Sequence, residues 1–351
     1  MGFFKPGKSV NYYIGIWYKK VSVQTVVWVA NRDAPISDPS STKLTLFVDG
    51  NLVLVHNSTS NSLNTTQVVL GDDGNLVLRD GSNPNVVYWQ SFDFPTDTWL
   101  PGGKFGFNNK TNQSQKLVSW RSEEDPAMGF YKLWDEESNT FLLVPEMRLN
   151  YNVNYTYISN VNESYFTYSL YNNSIMSRFV VDVSGQIKQL IWSERTKKWN
   201  LDWVQPEQSC RVYGICGPFG SCNQDSQKCE CLPGFVPRSS ADWSLQDTNG
   251  GCVRKTPLQC GTEDGFSPIP SSELPDKPRS SKIDSAEKCR SACEATCSCN
   301  GYVFDYRCQL WDGDIMNFNN ITSSRASAVF FLRGAAGEFS SLVPVFTSEG
   351  K

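Results

Sequence analysis

Twelve cysteines lie between Cys210 and Cys308, and none precedes them. Clustered thiols can ligate a metal, attack as thiolates, or cross-link the chain. Zinc knuckles use a spacer of two to four residues and often a histidine. Cys229-x-Cys231 and Cys297-x-Cys299 lack that spacer, and the single histidine, His56, is distant in sequence. A nucleophilic thiolate needs a base beside it, and His56, ending an apolar run next to an Asn-x-Ser/Thr triplet, reads as solvated. Cross-linking fits. Cys210 to Cys252 spans forty-three residues with six cysteines, too little chain to bury a stable core, and cross-links at roughly 2–4 kcal/mol each supply the deficit. No catalytic residue, metal site or cofactor is expected.

Other candidate chemistry reads the same way. Glu123-Glu124-Asp125 and Asp135-Glu136-Glu137 are runs of adjacent acids, whereas glycosidase work needs two carboxyls facing each other across a cleft. PGGKFGF (101–107) lacks the G-x4-G-K-[ST] spacing of a phosphate loop and reads as a turn. The net charge of −4, with no Lys/Arg-rich run, argues against nucleic acid as a partner. At 39% hydrophobic and 13% aromatic residues the chain has the material for packed cores.

Glycosylation triplets occur at Asn57, Asn64, Asn109, Asn112, Asn154, Asn162, Asn172 and Asn320. They imply the secretory route, whose oxidising lumen suits disulfides. MGFFKPGKSV has no apolar signal core, and no run of about 18 apolar residues offers a membrane span. The expected location is extracellular or the outer face of the plasma membrane, with the signal peptide and membrane helix missing from this chain.

The elements that must carry these residues are mostly strands. Through residue 210, short β-branched and aromatic runs such as IGIWY, TVVWVAN and KLTLFV alternate with Asp-Gly, Asn-Arg-Asp and Pro turns. FVDGNLVLVHN (47–57) and GDDGNLVLRDG (71–81) repeat one turn-and-strand unit, apolar on both faces, as in a three-sided or stacked β-architecture. RFVVDVSGQIKQLIW predicts a hairpin around Ser184-Gly185. One helix is expected, capped by Asp284 or Ser285, with Cys289 and Cys293 four apart on one face. The fold class is mainly β and multi-domain.

TVVWVANRDAPISD (25–38) and the DGNLVL repeats resemble the bulb-type mannose-lectin domain that opens plant S-domain receptor-like kinases and S-locus glycoproteins. YWQSFDFPTDTWLPG (88–102) and LVSWRSEEDPAMGFY (117–131) are similar to the segments that follow it. CRVYGICGPFGSC resembles the family's EGF-like opening, and CRSACEATCSCNGYVF…CQLW (289–311) its PAN/apple module.

The resemblance implies a β-prism bulb-lectin-like domain at 1–104, incomplete at its N-terminus. A shortened β-rich S-locus glycoprotein domain at 105–205, an EGF-like module at 206–255, an α+β PAN/apple module at 260–333 and a flexible tail at 334–351 follow. It pairs Cys210 with Cys222, Cys216 with Cys229, Cys231 with Cys252, Cys293 with Cys299, Cys289 with Cys308 and Cys260 with Cys297. Each set of six cysteines by itself allows fifteen connectivities.

In mannose-binding relatives the sugar is held by Q-x-D-x-N-x-V-x-Y. The first repeat presents Phe47, Asp49, Asn51, Val53 and Val55 at those positions, and the second Gly71, Asp73, Asn75, Val77 and Arg79. Glutamine and tyrosine are lost from both, so Asp49, Asn51, Val53, Asp73, Asn75 and Val77 would form a degenerate, weakened carbohydrate site.

The function implied is a non-catalytic extracellular recognition module of an S-domain receptor-like kinase. It would bind a peptide, small-molecule or cell-surface ligand in plant signalling of the self-recognition or defence type, or pair with a second receptor ectodomain, including its own copy. A secreted mannose-binding lectin or kinase-free decoy is the alternative. Alkylation of the unfolded, unreduced secreted protein should label none of the twelve cysteines; several labelled thiols in the mass spectrum would contradict the cross-link reading.

Overall fold

The computed structural model describes residues 1–46, 52–56, 66–133, 152–244, 246–260, 264–320 and 328–338, with backbone only at 53–56, 272 and 320. The chain divides into two compact units, Met1–Pro206 and a second from Glu207 onward.

The first unit opens with three antiparallel sheets. Gly2–Phe4, Tyr13–Trp17 and Val26–Val29 form one, Thr42–Leu46 and Leu52–His56 the second, and Thr66–Leu70, Leu76–Asp80 and Val87–Gln90 the third. All three sheets feed one core. Ile16, Val27, Leu76 and Leu100 are buried there, with Leu52, Val68, Trp28 and Trp89 packed around them. Three sheets around a shared apolar centre make a β-prism. The repeat unit is legible in detail at 71–80. Gly74 turns the chain at φ +91°, where a side chain would also meet Leu100 Cδ1 at 2.8 Å. The strand after it buries Leu76 and Leu78 and leaves Val77 and Arg79 half-buried.

From Thr98 onward the unit continues in three more antiparallel sheets. Gln113–Gln115, Phe105–Asn108, Glu163–Leu170 and Val153–Ser159 lie in that spatial order; Leu117–Ser122 pairs with Asp125–Leu133. Lys198–Gln205, Ile187–Ser193, Ser177–Val181 and Thr98–Trp99 form the third. The hairpin expected around Ser184-Gly185 forms, with Phe179 opposite Gln189 and Val181 opposite Ile187. Trp99, Phe105, Tyr168 and Phe179 of this half are core. Trp99 lies edge-on to Tyr168 at 4.7 Å and Tyr168 edge-on to Phe179 at 5.1 Å. Two of the buried polar ends are satisfied: Tyr168 Oη donates to the Trp99 carbonyl (2.9 Å), and Trp99 Nε1 to that of Gly103 (2.9 Å).

The second unit is held by six disulfides: Cys210–Cys222, Cys216–Cys229, Cys231–Cys252, Cys260–Cys297, Cys289–Cys308 and Cys293–Cys299. Ser285 caps the helix Ala286–Glu294, its hydroxyl accepting from the Lys288 N–H at 3.3 Å, while Asp284 pairs with Lys288 Nζ at 2.8 Å. A shorter helix, Ser240–Ser244, was not expected, since five residues cannot display a helical period.

The sequence separates 206–255 from 260–333, but the fold joins them. The hairpin Gly220–Asn223/Lys228–Cys231 continues one eight-stranded sheet, with Ser221 to Asn223 running parallel to Phe318–Asn320. Leu232, Phe235 and Cys252 pack in the same core as Trp311, Phe318, Phe330 and Leu332. A forty-residue cysteine-rich piece is too small for its own core, so it borrows one. Arg254 reinforces the join, donating to the Arg333 carbonyl (2.8 Å) and Asn300 Oδ1 (2.6 Å) with its guanidinium 4.7 Å over Phe235.

Arg333 itself is wholly buried. It pairs with Asp264 at 3.0 Å and donates to the carbonyls of Cys293 (3.0 Å), Thr296 (2.9 Å) and Glu294 (3.3 Å) at the helix C-terminus. Removing one partner of such a pair strands a charge. Asp264→Asn should therefore cost the second unit about 3–5 kcal/mol in urea unfolding; a loss below about 1 kcal/mol would refute the assignment of this pair as its electrostatic anchor.

Candidate functional site

The lectin-type residues of the second repeat fall on the third sheet of the prism and on the turn that precedes its central strand. Asp73 is exposed, and its Oδ1 accepts the Asn75 N–H at 3.0 Å, closing the turn. Asn75 is buried. Its Nδ2 donates to Gln90 Oε1 (2.9 Å), and its Oδ1 accepts from Ser91 Oγ (3.2 Å) and from the Phe92 N–H (3.2 Å). Ser91 Oγ in turn accepts the Leu76 N–H at 2.9 Å. The carboxamide thus stitches the central strand to the end of Val87–Gln90. Val77 is half-buried on the strand, and Arg79 donates to Gln67 Oε1 through Nε (3.4 Å) and Nη2 (3.3 Å). In the first repeat, Asp49 and Asn51 lie outside the described residues. Val53 is placed by backbone only, opposite Thr45.

Sequence reasoning missed the aromatic lining inside the prism. A cavity of about 550 Å³ lies between its sheets, walled by Ile14, Trp28, Leu44, Leu76, Trp89 and Phe94. Trp28 meets Trp89 edge-on at 5.9 Å, Trp89 stacks on Phe94 at 5.7 Å, and Trp28 Nε1 donates to the Phe94 carbonyl at 2.8 Å. Its volume is in the range of small-molecule pockets, and its walls are apolar. The signal was present in the tryptophans of TVVWVAN and VYWQ, but nothing in sequence says that they converge.

Five asparagines of Asn-x-Ser/Thr triplets are described with side chains, and all five are exposed: Asn109, Asn112, Asn154, Asn162 and Asn172. They gather on one sheet. Asn109 and Asn112 sit in the turn between Phe105–Asn108 and Gln113–Gln115, Asn162 in the turn before Glu163–Leu170, Asn154 on the outermost strand and Asn172 just past Leu170. The Asn109 N–H donates to the Asn162 carbonyl at 2.7 Å, so two of these turns touch. Asn320 ends the Phe318–Asn320 strand of the second unit; Asn57 and Asn64 lie outside the described residues.

The remaining candidates are engaged in the fold. Sγ atoms of Cys216, Cys222 and Cys229 lie within 4.8 Å of one another, as metal ligands would. They belong to two disulfides, and oxidised sulfur is not a thiolate ligand. Asp125 accepts from Arg121 Nε at 2.9 Å, Glu124 accepts the Lys8 N–H at 3.1 Å, and Lys104 of PGGKFGF pairs with Glu163 at 2.6 Å. Asp135, Glu136, Glu137 and the His56 side chain are outside the described residues.

Three family models match this arrangement in order: a D-mannose binding lectin model over 25–121, an S-locus glycoprotein domain model over 131–239 and a PAN-like domain model over 260–318. A protein of Arabidopsis thaliana whose name carries the words inactive G-type lectin S-receptor-like serine/threonine-protein kinase SRK is 34% identical, across 97% of this chain and 69% of its own length. The chain belongs to the G-type lectin S-receptor-like family. A G-type lectin S-receptor-like serine/threonine-protein kinase of the same plant is 44% identical over all of this chain and 47% of its own length. The receptor-like serine/threonine-protein kinase SD1-8 is 35% identical over 91% of this chain and 42% of its own. This G-type lectin chain thus spans about half the length of several curated relatives it matches. Among its described residues no helix is long and apolar enough to cross a membrane.

In this family member the Asn75 carboxamide holds the third sheet together. Asn75→Ala leaves Gln90, Ser91 and the Phe92 N–H without their partner and should destabilise the first unit by about 1–3 kcal/mol in urea unfolding. An unchanged midpoint would show that Asn75 is not structural.

Proposed function

We propose that the chain is a non-catalytic extracellular recognition module of the receptor-like kinase type, binding a peptide, small-molecule or cell-surface ligand in plant signalling. The observation that carries this reading is the series of lectin, S-locus glycoprotein and PAN-like modules along a chain with no free cysteine among the described residues. Its polar side chains support the same reading, because those of Asn75, Arg333 and Tyr168 hold strands and helix together instead of converging on a reactive centre. The triplet asparagines that are described in the first unit gather on one sheet, which supports a partner, a second receptor ectodomain or another copy of the chain docking elsewhere on it.

A secreted mannose-binding lectin or kinase-free decoy is the second reading, favoured by the D-mannose binding lectin match. With Asn75 engaged internally, sugar binding would rest on Asp73 and on Asp49 and Asn51 of the first repeat.

Labelled full-length chain, secreted from plant cells and applied to protoplasts, separates the two. Saturable surface binding that unlabelled chain competes away and methyl α-mannoside does not is the expected result. Binding abolished by the mannoside and by Asn51→Ala would move the assignment to the lectin, and absence of saturable binding would overturn the recognition reading.

A further inference from the structure

A cleft of about 680 Å³ opens in the first unit, apart from the prism cavity, with Phe4, Trp120, Leu190 and Trp199 among its apolar walls and Arg178 and Asp97 among its charged ones. We propose that this cleft binds a small aromatic carboxylate, with the Arg178 guanidinium taking the carboxylate and the aromatic walls taking the ring.

The argument starts from strand alternation. Within Ser177–Val181, Phe179 is wholly buried in the aromatic core, so Arg178 and Val180 project to the opposite face, where both line the cleft. The Arg178 guanidinium lies 5.0 Å over the ring of Trp199. That ring is fixed by its Nε1 donating to Thr25 Oγ1 at 2.9 Å and by an edge contact with Trp192 at 5.5 Å.

A guanidinium carries five N–H donors. Arg178 Nε is enclosed and unpartnered, and no ion pair to Arg178 exists among the described residues. The buried arginines among the described residues differ: Arg32 donates to the carbonyls of Pro126 (2.5 Å) and Ser119 (2.6 Å), and Arg333 to Asp264 and the helix end. A second enclosed donor without a partner, Trp120 Nε1, belongs to a residue lining the same cleft. Buried donors are ordinarily paired. The Arg178 Nη groups, also without a protein partner among the described residues, are not enclosed and are the donors that a ligand in the cleft can reach.

The facing charges decide the sign of that acceptor. Asp182 and Lys188 neutralise each other in an ion pair. Glu123 and Lys5 also line the cleft, one of each sign. Asp97 is the carboxylate whose field reaches Arg178, and it is shared with Arg32. Its own carboxyl accepts from Thr96 Oγ1 at 3.0 Å, and burial pushes it above the ordinary carboxylate range. Arg32 also feels Asp33 and Asp125, whereas Asp97 is the one carboxylate acting on Arg178, and no ion pair among the described residues holds that guanidinium, which leaves its fork open to a ligand oxyanion. Carboxylate geometry suits the planar guanidinium fork, and indole and phenyl walls favour a flat apolar body.

Isothermal titration of the full secreted chain at low salt, with 4-phenylbutyrate, its uncharged analogue 4-phenylbutyramide, and sodium sulfate, tests this. The acid should bind with a dissociation constant at or below about 1 mM, about tenfold more tightly than the amide or sulfate. Arg178→Lys keeps a positive charge beside Asp97 but loses the fork and should weaken the acid about tenfold. Trp120→Phe keeps a ring and should weaken it about threefold. Equal affinity for acid and amide, sulfate binding as tight as the acid, unchanged affinity in Arg178→Lys, or no binding of the acid would each overturn the proposal. The acid–amide comparison needs no variant to fold. The biological meaning rests on the recognition reading, yet protoplast binding that persists when the acid fails to bind removes this site and leaves that reading standing.

Discussion

The C-terminal unit depends on a buried guanidinium. Arg333 sits on the strand Ala328–Gly334, reaches the carbonyls that end the helix Ala286–Glu294, and pairs with Asp264 at the entrance of the strand Gly265–Glu273. A helix C-terminus presents carbonyls with no partner within the helix, and a cation there meets both the open acceptors and the negative end of the dipole. Burying that cation is tolerable only because every direction of its fork finds an oxygen. Strand, helix and the following disulfide loop are thereby held to one geometry, on which Cys289 and Cys293 face their partners.

The disulfides and the shared sheet solve a different problem. The segment from Cys210 to Cys252 lacks the apolar residues for an independent core, and cross-links alone restrict its unfolded chain without giving it an interior. Parallel pairing of Ser221–Asn223 with Phe318–Asn320 gives its hairpin a sheet, and Leu232 and Phe235 enter a core built mainly by the PAN-like segment. The cysteine-rich and PAN-like parts are one packed body whose names as modules describe sequence better than structure.

In the first unit, polar side chains divide into those used by the fold and those left over. The Asn75 carboxamide, the Trp99 indole N–H and the Arg32 guanidinium each tie a strand to a neighbouring strand or turn. Arg178 and the Trp120 indole N–H do not. The asparagine of the lectin-type motif thus serves the fold, because its carboxamide anchors a strand end.

Much was legible in order along the chain. The Asp-Gly turn followed by LVL predicts strands, and Gly74 at positive φ with Leu76 and Leu78 inside shows why that reading works: turn chemistry and period-2 burial are local. Ser285 as cap and Cys289/Cys293 on one face are local in the same sense. The resemblance to S-domain ectodomains rests on motifs such as CRVYGICGPFGSC, also contiguous in sequence. The fusion of 206–255 with 260–333, the convergence of Trp28, Trp89 and Phe94, and the contrast between a satisfied Arg333 and an unpartnered Arg178 were not legible. Sequence by itself determined the strand-rich class, the staple role of the cysteines and the family. Only the tertiary structure decided which buried donors found acceptors, because that depends on residues tens of positions apart meeting at about 3 Å, a distance no local pattern encodes.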